Sequence, residues 1–258
     1  MQKNKNKETT SWEEVSSWYN KAVGDSGHYY HQEIILPKIV EMLSLKEDST
    51  TSFLDLACGQ GILSRYLTKS FEYVGIDISP SLIQAAKEKN IYPGHKFLVS
   101  DITKPLPLQK KDFDFCTILL ALQNLEHPLE AFKNIAKHLA PDGKILLVMN
   151  HPCFRIPKQS SWGIDERENI QYRRIDAYYS SMKIPIQSNP SLGKHSANTF
   201  SFHHPLSSWT KWLKEAGFAI EWMEEWCSNK VSTGKYAERE DISREEFPLF
   251  LAIRACRI

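Results

Sequence analysis

Residues 53–67 read FLDLACGQGILSRYL, an apolar run that ends at Asp55 and passes through Ala57, Cys58, Gly59, Gln60 and Gly61 into a helical pattern. Glycine permits a tight turn and lets a ligand approach the backbone without meeting a Cβ. Nicotinamide sites, nucleotide sites and plain turns all use such a strand-to-helix turn. What surrounds it must therefore decide what it holds.

Around this turn the chain alternates short apolar runs with helical patterns. TSFLDLAC (51–58) is followed by YVGIDIS (73–79) and PSLIQAAKEKN (80–90). KFLVSDI (96–102), DFDFCTILL (112–120), HPLEAFKNIAKHLA (127–140) and GKILLVMN (143–150) come next. Alternation with short connections implies parallel strands covered by crossover helices. Pro128 opens the helix after His127, Phe132, Ile135 and Leu139 share one face, and Pro141, Asp142 and Gly143 are expected to stop it. The pattern resumes at PLSSWTKWLKEAGF (205–218), a helix closed by Gly217. Two further strands follow, AIEWMEEW (219–226) and PLFLAIRACR (248–257), joined by a polar loop.

Two segments fall outside this rhythm. Residues 11–45 carry two aromatic-bearing helical patterns, with Ile34, Ile35, Ile39 and Leu43 near helical spacing, and read as a helical N-terminal extension. Residues 151–204, rich in Pro, Ser, Arg, Tyr and His, are too long for a plain connection and read as a functional insertion. Residues 1–10 are polar and read as a mobile tail. The organisation is thus a single domain over 11–258.

The acids near the turn select its ligand. Asp77 ends its strand 22 positions after Asp55, where a dinucleotide fold places the carboxylate that accepts hydrogen bonds from ribose hydroxyls. Asp101 ends the third strand, within reach of an adenine amine. The turn carries Gly59, Gly61 and Ser64 instead of three glycines, and Asp55 beside it would repel a pyrophosphate. An NAD-dependent oxidoreductase is disfavoured on both counts. A ligand with adenosine at one end and a cationic amino acid at the other suits these acids, and S-adenosylmethionine has that shape and charge.

DLACGQG (55–61), GIDIS (75–79), SDI (100–102) and DFDFCTILLALQNLEHP (112–128) resemble the motifs of the class I S-adenosylmethionine-dependent methyltransferases, the small-molecule group that includes quinone C-methyltransferases. The resemblance covers residue 53 to about residue 219. It implies a Rossmann-like, seven-stranded, mostly parallel sheet with helices on both faces, an antiparallel last strand and an insertion after the fifth strand. It also implies that Asp55, Ala57, Gly59 and Gly61 form the cofactor loop. Asp77 would bind ribose, with Ile78 beside the adenine, Asp101 and Ile102 would contact adenine, and Leu119 and Leu120 would pass the methionine moiety. Ala57 stands where the family often has glycine. Gln123 and Asn124 replace a His pair common among relatives, a change expected to alter the acceptor.

His151 follows the fifth strand directly and is the candidate general base, with a structural role as its alternative. His203 and His204 are weaker candidates. Arg155, Arg173, Arg174, Tyr172, Tyr178, Tyr179 and Trp162 lie in the insertion and make it a candidate substrate lid, suited to a planar or carboxylate-bearing acceptor. Trp12, Trp18, Tyr19, Tyr29 and Tyr30 either cover the cofactor from the other side or pack their helices on the core. Tyr19, Tyr30, Arg155, Arg173, Arg174, Tyr178 and His204 are the candidate acceptor contacts.

Composition narrows the partners. Lys and Arg number 32 against 31 Asp and Glu, a net charge of +1, so no global field gathers nucleic acid or an anionic membrane. Five cysteines without a C-x-x-C pair indicate neither a disulfide framework nor a metal site, and a reducing cytoplasm fits them. A small-molecule acceptor is the expected partner. A nucleic-acid or protein methyltransferase on the same fold, or a non-catalytic S-adenosylmethionine-binding module, is the alternative.

Overall fold

Apolar side chains alternate to both sides of the run at 53–56, and β1 (Ser52–Leu56) is buried at every position. The computed structural model describes residues 12–45, 51–67, 71–187 and 198–258; the tail expected at 1–10 lies outside the described residues. Helices α1 (Ser16–Val23) and α2 (Leu36–Leu43) precede β1. After it come α3 (Ile62–Tyr66), β2 (Glu72–Asp77), α4 (Pro80–Lys89), β3 (Lys96–Val99) and β4 (Phe113–Leu119). They are followed by α5 (Pro128–His138) and β5 (Leu139–Asn150). Within 151–204 lie two antiparallel strand pairs, β6 (Ser160–Asp165) with β7 (Ile170–Ile175) and β8 (Met182–Gln187) with β9 (Asn198–His203). Helix α6 (Leu206–Glu215), β10 (Phe218–Trp226), α7 (Ala237–Glu246) and β11 (Phe250–Arg257) complete the chain.

The seven long-range strands form one sheet in the order β10-β11-β5-β4-β1-β2-β3. Pairs from β5 across to β3 are parallel, while β11 runs antiparallel to both β10 and β5. Successive strand side chains point to opposite faces, so two cores form. Leu54, Leu56, Ile145 and Leu147 meet Phe132, Ile135, Trp209 and Leu213 of α5 and α6 on one face. Phe53, Leu146 and Val148 meet Ile39, Leu63 and Ile83 of α2, α3 and α4 on the other. Helices cover both faces, as the alternation implied.

Two local expectations are corrected, and the insertion gains a structure. Helix α5 ends at His138, before Pro141, because Leu139 already pairs with Phe113; the next pair in that ladder is Phe115 with Lys144, and residues 140–143 bulge between. The polar loop expected between the last two strands contains α7. Its face shows no apolar stripe because its anchors are polar: Arg239 Nη1 donates to Asn169 Oδ1 at 3.2 Å and Ser243 Oγ to the Gln171 carbonyl at 3.2 Å. The insertion is strand-rich, although most of its side chains in β6 and β7 are half-buried or exposed.

Candidate functional site

Parallel strands deliver their carboxyl ends to one edge of the sheet, the edge at which open α/β sheets bind ligands. A cavity of about 640 Å³ opens there, lined from Ala57, Gly59, Asp77, Ile78, Asp101 and Ile102 at one end to Leu119, Leu120, Asn150 and Arg155 at the other. Asp77, the last residue of β2, is 6% exposed. Its Oδ2 accepts the Gly59 N–H at 2.9 Å and its Oδ1 the Ser79 N–H at 2.9 Å. Ser79, and not Asp77, caps α4, its hydroxyl accepting the Leu82 N–H at 3.2 Å. Asp77 thus ties the glycine turn to the start of α4. Burial raises its pKa against these amides.

Asp101 holds Thr103 through Oδ1, accepting its N–H at 2.9 Å and its hydroxyl at 2.7 Å. Three residues of the turn are left-handed, Ala57 at φ 56°, Gly59 at 54° and Gly61 at 74°, so Ala57 adopts a backbone that usually needs glycine. Two expected cofactor contacts stand elsewhere. Asp55 points into the core, where Tyr73 donates to its Oδ2 and Thr117 Oγ1 to its Oδ1 at 2.7 Å; burial lifts its pKa to about 6. Gly61 does not line the cavity. A Cβ there would stand 3.0 Å from Phe97 Cε1 and 3.3 Å from Ala86 Cβ, so this glycine lets α3 close on its neighbours.

The N-terminal extension covers the cavity. Trp12 and Tyr19 line it with their rings 5.7 Å apart, edge on. Burial first, then the charge of Asp77, pushes the Tyr19 phenol up to about 12, so it stays protonated. A clasp holds the extension to the glycine turn: Gln60 Nε2 donates to the Gly24 carbonyl at 3.0 Å, Lys89 Nζ to Gln60 Oε1 at 2.6 Å, and Lys89 pairs with Asp25 at 2.9 Å.

Residues 54–147 match a family model described as a methyltransferase domain. A solved S-adenosylmethionine-dependent methyltransferase from Mesorhizobium loti superposes with a TM-score of 0.66 at 25% identity, covering 85% of this chain and 96% of that one. Residues 54–147 thus form a methyltransferase domain, and the sheet around them has the fold of the S-adenosylmethionine-dependent methyltransferases. The glycopeptide N-methyltransferase MtfA, solved with (S)-adenosyl-L-methionine, shares this methyltransferase fold at a TM-score of 0.57 and 15% identity, over 86% of this chain and 93% of that one. The demethylmenaquinone methyltransferase of Staphylococcus aureus is 32% identical over 114 residues, 42% of this chain and 47% of that protein. The chain therefore spans about half the length of the curated relatives it matches.

The acceptor-side expectations divide. Tyr19, Tyr30 and Arg155 line the cavity. His151 does not. Its Nδ1 accepts the Cys153 N–H at 3.1 Å and its Nε2–H donates to Glu225 Oε1 at 2.6 Å, so neither nitrogen is left to take a proton from an acceptor. Burial lowers its pKa despite Glu225. Arg173 is spent on structure, donating to the Phe154 carbonyl at 2.9 Å and Ser160 Oγ at 2.7 Å and lying over Trp162. Arg174 pairs with Asp176, and the Tyr178 hydroxyl accepts the Leu206 N–H at 3.0 Å at the start of α6. His204 lines a small cavity beside the main one, bonded to Ser181 Oγ at 3.0 Å, and His203 bonds the Tyr178 carbonyl. Trp162, Tyr172 and Tyr179 of the insertion, like Trp18 and Tyr29, are exposed surface residues outside the cavity lining.

Several lining residues were not singled out in the sequence. His28 and His31, from the extension, stack at 4.0 Å, and burial lowers His31 to about 3. Their signal was faint: two histidines three apart beside Tyr30, on an element that also supplies core. Gln123, noted only as a family departure, lines both cavities. Its Nε2 donates to the Leu120 carbonyl at 2.7 Å, and its buried Oε1 has no partner among the described residues.

Proposed function

We propose that this chain transfers a methyl group from S-adenosylmethionine to a small-molecule acceptor. One observation carries the reading: a single cavity joins the acids at the ends of β2 and β3 to an acceptor wall beyond β4. In this reading Asp77 takes the ribose hydroxyls, Ile78 and Ile102 flank adenine, and Asp101 Oδ2 accepts from its exocyclic amine. Gly59, Leu119 and Leu120 line the methionine part. The residues fit the group: Asp77 and Asp101 offer acceptors, and the buried Trp12 Nε1–H, without a partner among the described residues, offers a donor at the covered end.

Once bound, the sulfonium supplies a methyl group that is already electrophilic. The chain therefore has to hold the acceptor in line and exclude water. Trp12, Tyr19 and Tyr30 serve exclusion. Tyr19 keeps its proton and His151 is occupied, so proton removal is left to the acceptor's own acidity or to His28, since burial makes His31 too weak a base.

A cavity of this size lies within the roughly 300–1,000 Å³ usual for one drug-sized ligand. Shared with a nucleoside-sized cofactor, it leaves room for a small acceptor, and the charge balance gives no support for nucleic acid. Cys58, Cys116, Cys153, Cys227 and Cys256 are all free thiols, which fits a reducing, cytoplasmic setting. Among the described residues, no helix is long and apolar enough to cross a membrane. Incubating the protein with methyl-labelled S-adenosylmethionine and fractionated cell extract tests the reading. Label is expected in the small-molecule fraction, and label in RNA, DNA or protein alone would contradict it.

A further inference from the structure

The two ends of the cavity carry opposite chemistry. Asp77 and Asp101 stand at the ends of β2 and β3, whereas Arg155 stands just beyond β5. Strands lie about 4.8 Å apart, and β5 is separated from β2 by β4 and β1. The end of β5 is thus roughly 15 Å from the end of β2 across the sheet. No carboxylate among the described residues pairs with Arg155, although Arg173 and Arg174 nearby are both engaged. Its backbone is fixed, the Arg155 N–H donating to the His151 carbonyl at 2.8 Å.

Gln123 gives a second, independent indication. It lines the same main cavity and the same side cavity as Arg155. Its amide orientation is set by the donor needed at the Leu120 carbonyl, which leaves its buried oxygen without a donor among the described residues. A buried carbonyl left this way is destabilising unless a ligand satisfies it. Tyr30, Pro157, Ile186 and Phe250 supply apolar walls of the same cavity.

We infer that the acceptor is a small hydroxy- or amino-substituted carboxylic acid with a flat apolar body, its carboxylate on the Arg155 guanidinium and its O–H or N–H donor on Gln123 Oε1. One planar guanidinium offers two parallel N–H groups, which match the two oxygens of a carboxylate. This inference rests on the methyltransferase reading above.

Binding of 6-hydroxy-2-naphthoate, its amide and unsubstituted 2-naphthoate to the complex with S-adenosylhomocysteine tests it by calorimetry. The hydroxy acid is expected to bind about tenfold or more tighter than either analogue. Arg155→Met should abolish the preference for carboxylate over amide, and Gln123→Leu the preference for the hydroxylated acid, both with unchanged S-adenosylhomocysteine affinity. Should Arg155→Met fail to fold, Arg155→Lys, which keeps charge and loses the fork, should retain only part of the carboxylate preference. Equal binding of acid and amide, or no binding of either, overturns the inference and leaves the cofactor reading standing. Weakened S-adenosylhomocysteine binding in Arg155→Met also overturns it, since the guanidinium would then serve the cofactor's own carboxylate. A wild-type protein that does not bind S-adenosylhomocysteine defeats the methyltransferase reading itself.

Discussion

His151 shows how a residue in the expected place can be taken by its surroundings. It sits at the end of β5, where a base belongs, yet Glu225 on β10 and the Cys153 amide hold both ring nitrogens. The partner is 74 positions away in sequence, so nothing local announces it. His151→Gln, which can still donate to Glu225 but cannot also accept from Cys153, is expected to lose about 1–3 kcal/mol of stability in urea unfolding. The shape of the pH–rate profile should not change; a lost basic limb with unchanged stability would restore His151 as the base. Asp77 and Asp101 were legible because each ends a strand whose neighbours were already clear, whereas Asp55 shares that placement but turns inward to Tyr73 and Thr117. The glycine turn separates two requirements. Gly61→Ala should cost about 1–2 kcal/mol, because its left-handed backbone and the Phe97 contact both resist a Cβ. Ala57→Gly should be near neutral, since relief of strain at φ 56° is offset by the freer unfolded chain.

Elements with an apolar face were readable, and elements without one were not. β1, β4 and β5 bury both faces and appear in the sequence as continuous apolar runs. Strands β6 and β7 carry Arg, Tyr, Ser and Gln on largely solvated surfaces, and α7 is polar almost all round, so neither the strand nor the helix period shows; β9 is largely buried, but Thr199, Ser201 and His203 break its apolar run. The N-terminal extension divides between both cases. Helix α2 is core, with Leu36, Ile39 and Met42 at most 2% exposed, while α1 is held to the glycine turn by polar contacts around Gln60 and Lys89. Elements held that way open at low free energy. Gln60→Ala with Lys89→Ala should speed amide exchange across residues 16–27 and leave β1, β4 and β5 unchanged; equal exchange in both proteins would show that apolar packing alone holds α1.

For the molecule as a whole, buried neutral histidines set the acid limit. Burial lowers the pKa of His28, His31, His95, His151, His203 and His204, with His204 at about 4 and His31 at about 3. The unfolded chain binds these protons near 6.5, so the stabilisation is complete above that pH and is lost as the pH falls from there towards the folded values. Asp55 and Asp77, whose pKa values are raised, work in the opposite direction, with Asp55 favouring the folded state below about 6. Six groups against two give a lower Tm at pH 5 than at pH 7.5, and His31→Gln should flatten that dependence; an equal or higher Tm at pH 5 would contradict the balance. On the proposed function, the edge formed by Asp77, Asp101 and the glycine turn holds S-adenosylmethionine. Calorimetric titration of the wild-type protein and Asp77→Ala with S-adenosylhomocysteine and with NADH tests it most directly. Binding of S-adenosylhomocysteine but not NADH, weakened tenfold or more (about 1.4 kcal/mol) in the variant, is the predicted result. Binding of NADH in preference, or S-adenosylhomocysteine affinity indifferent to Asp77, would contradict it.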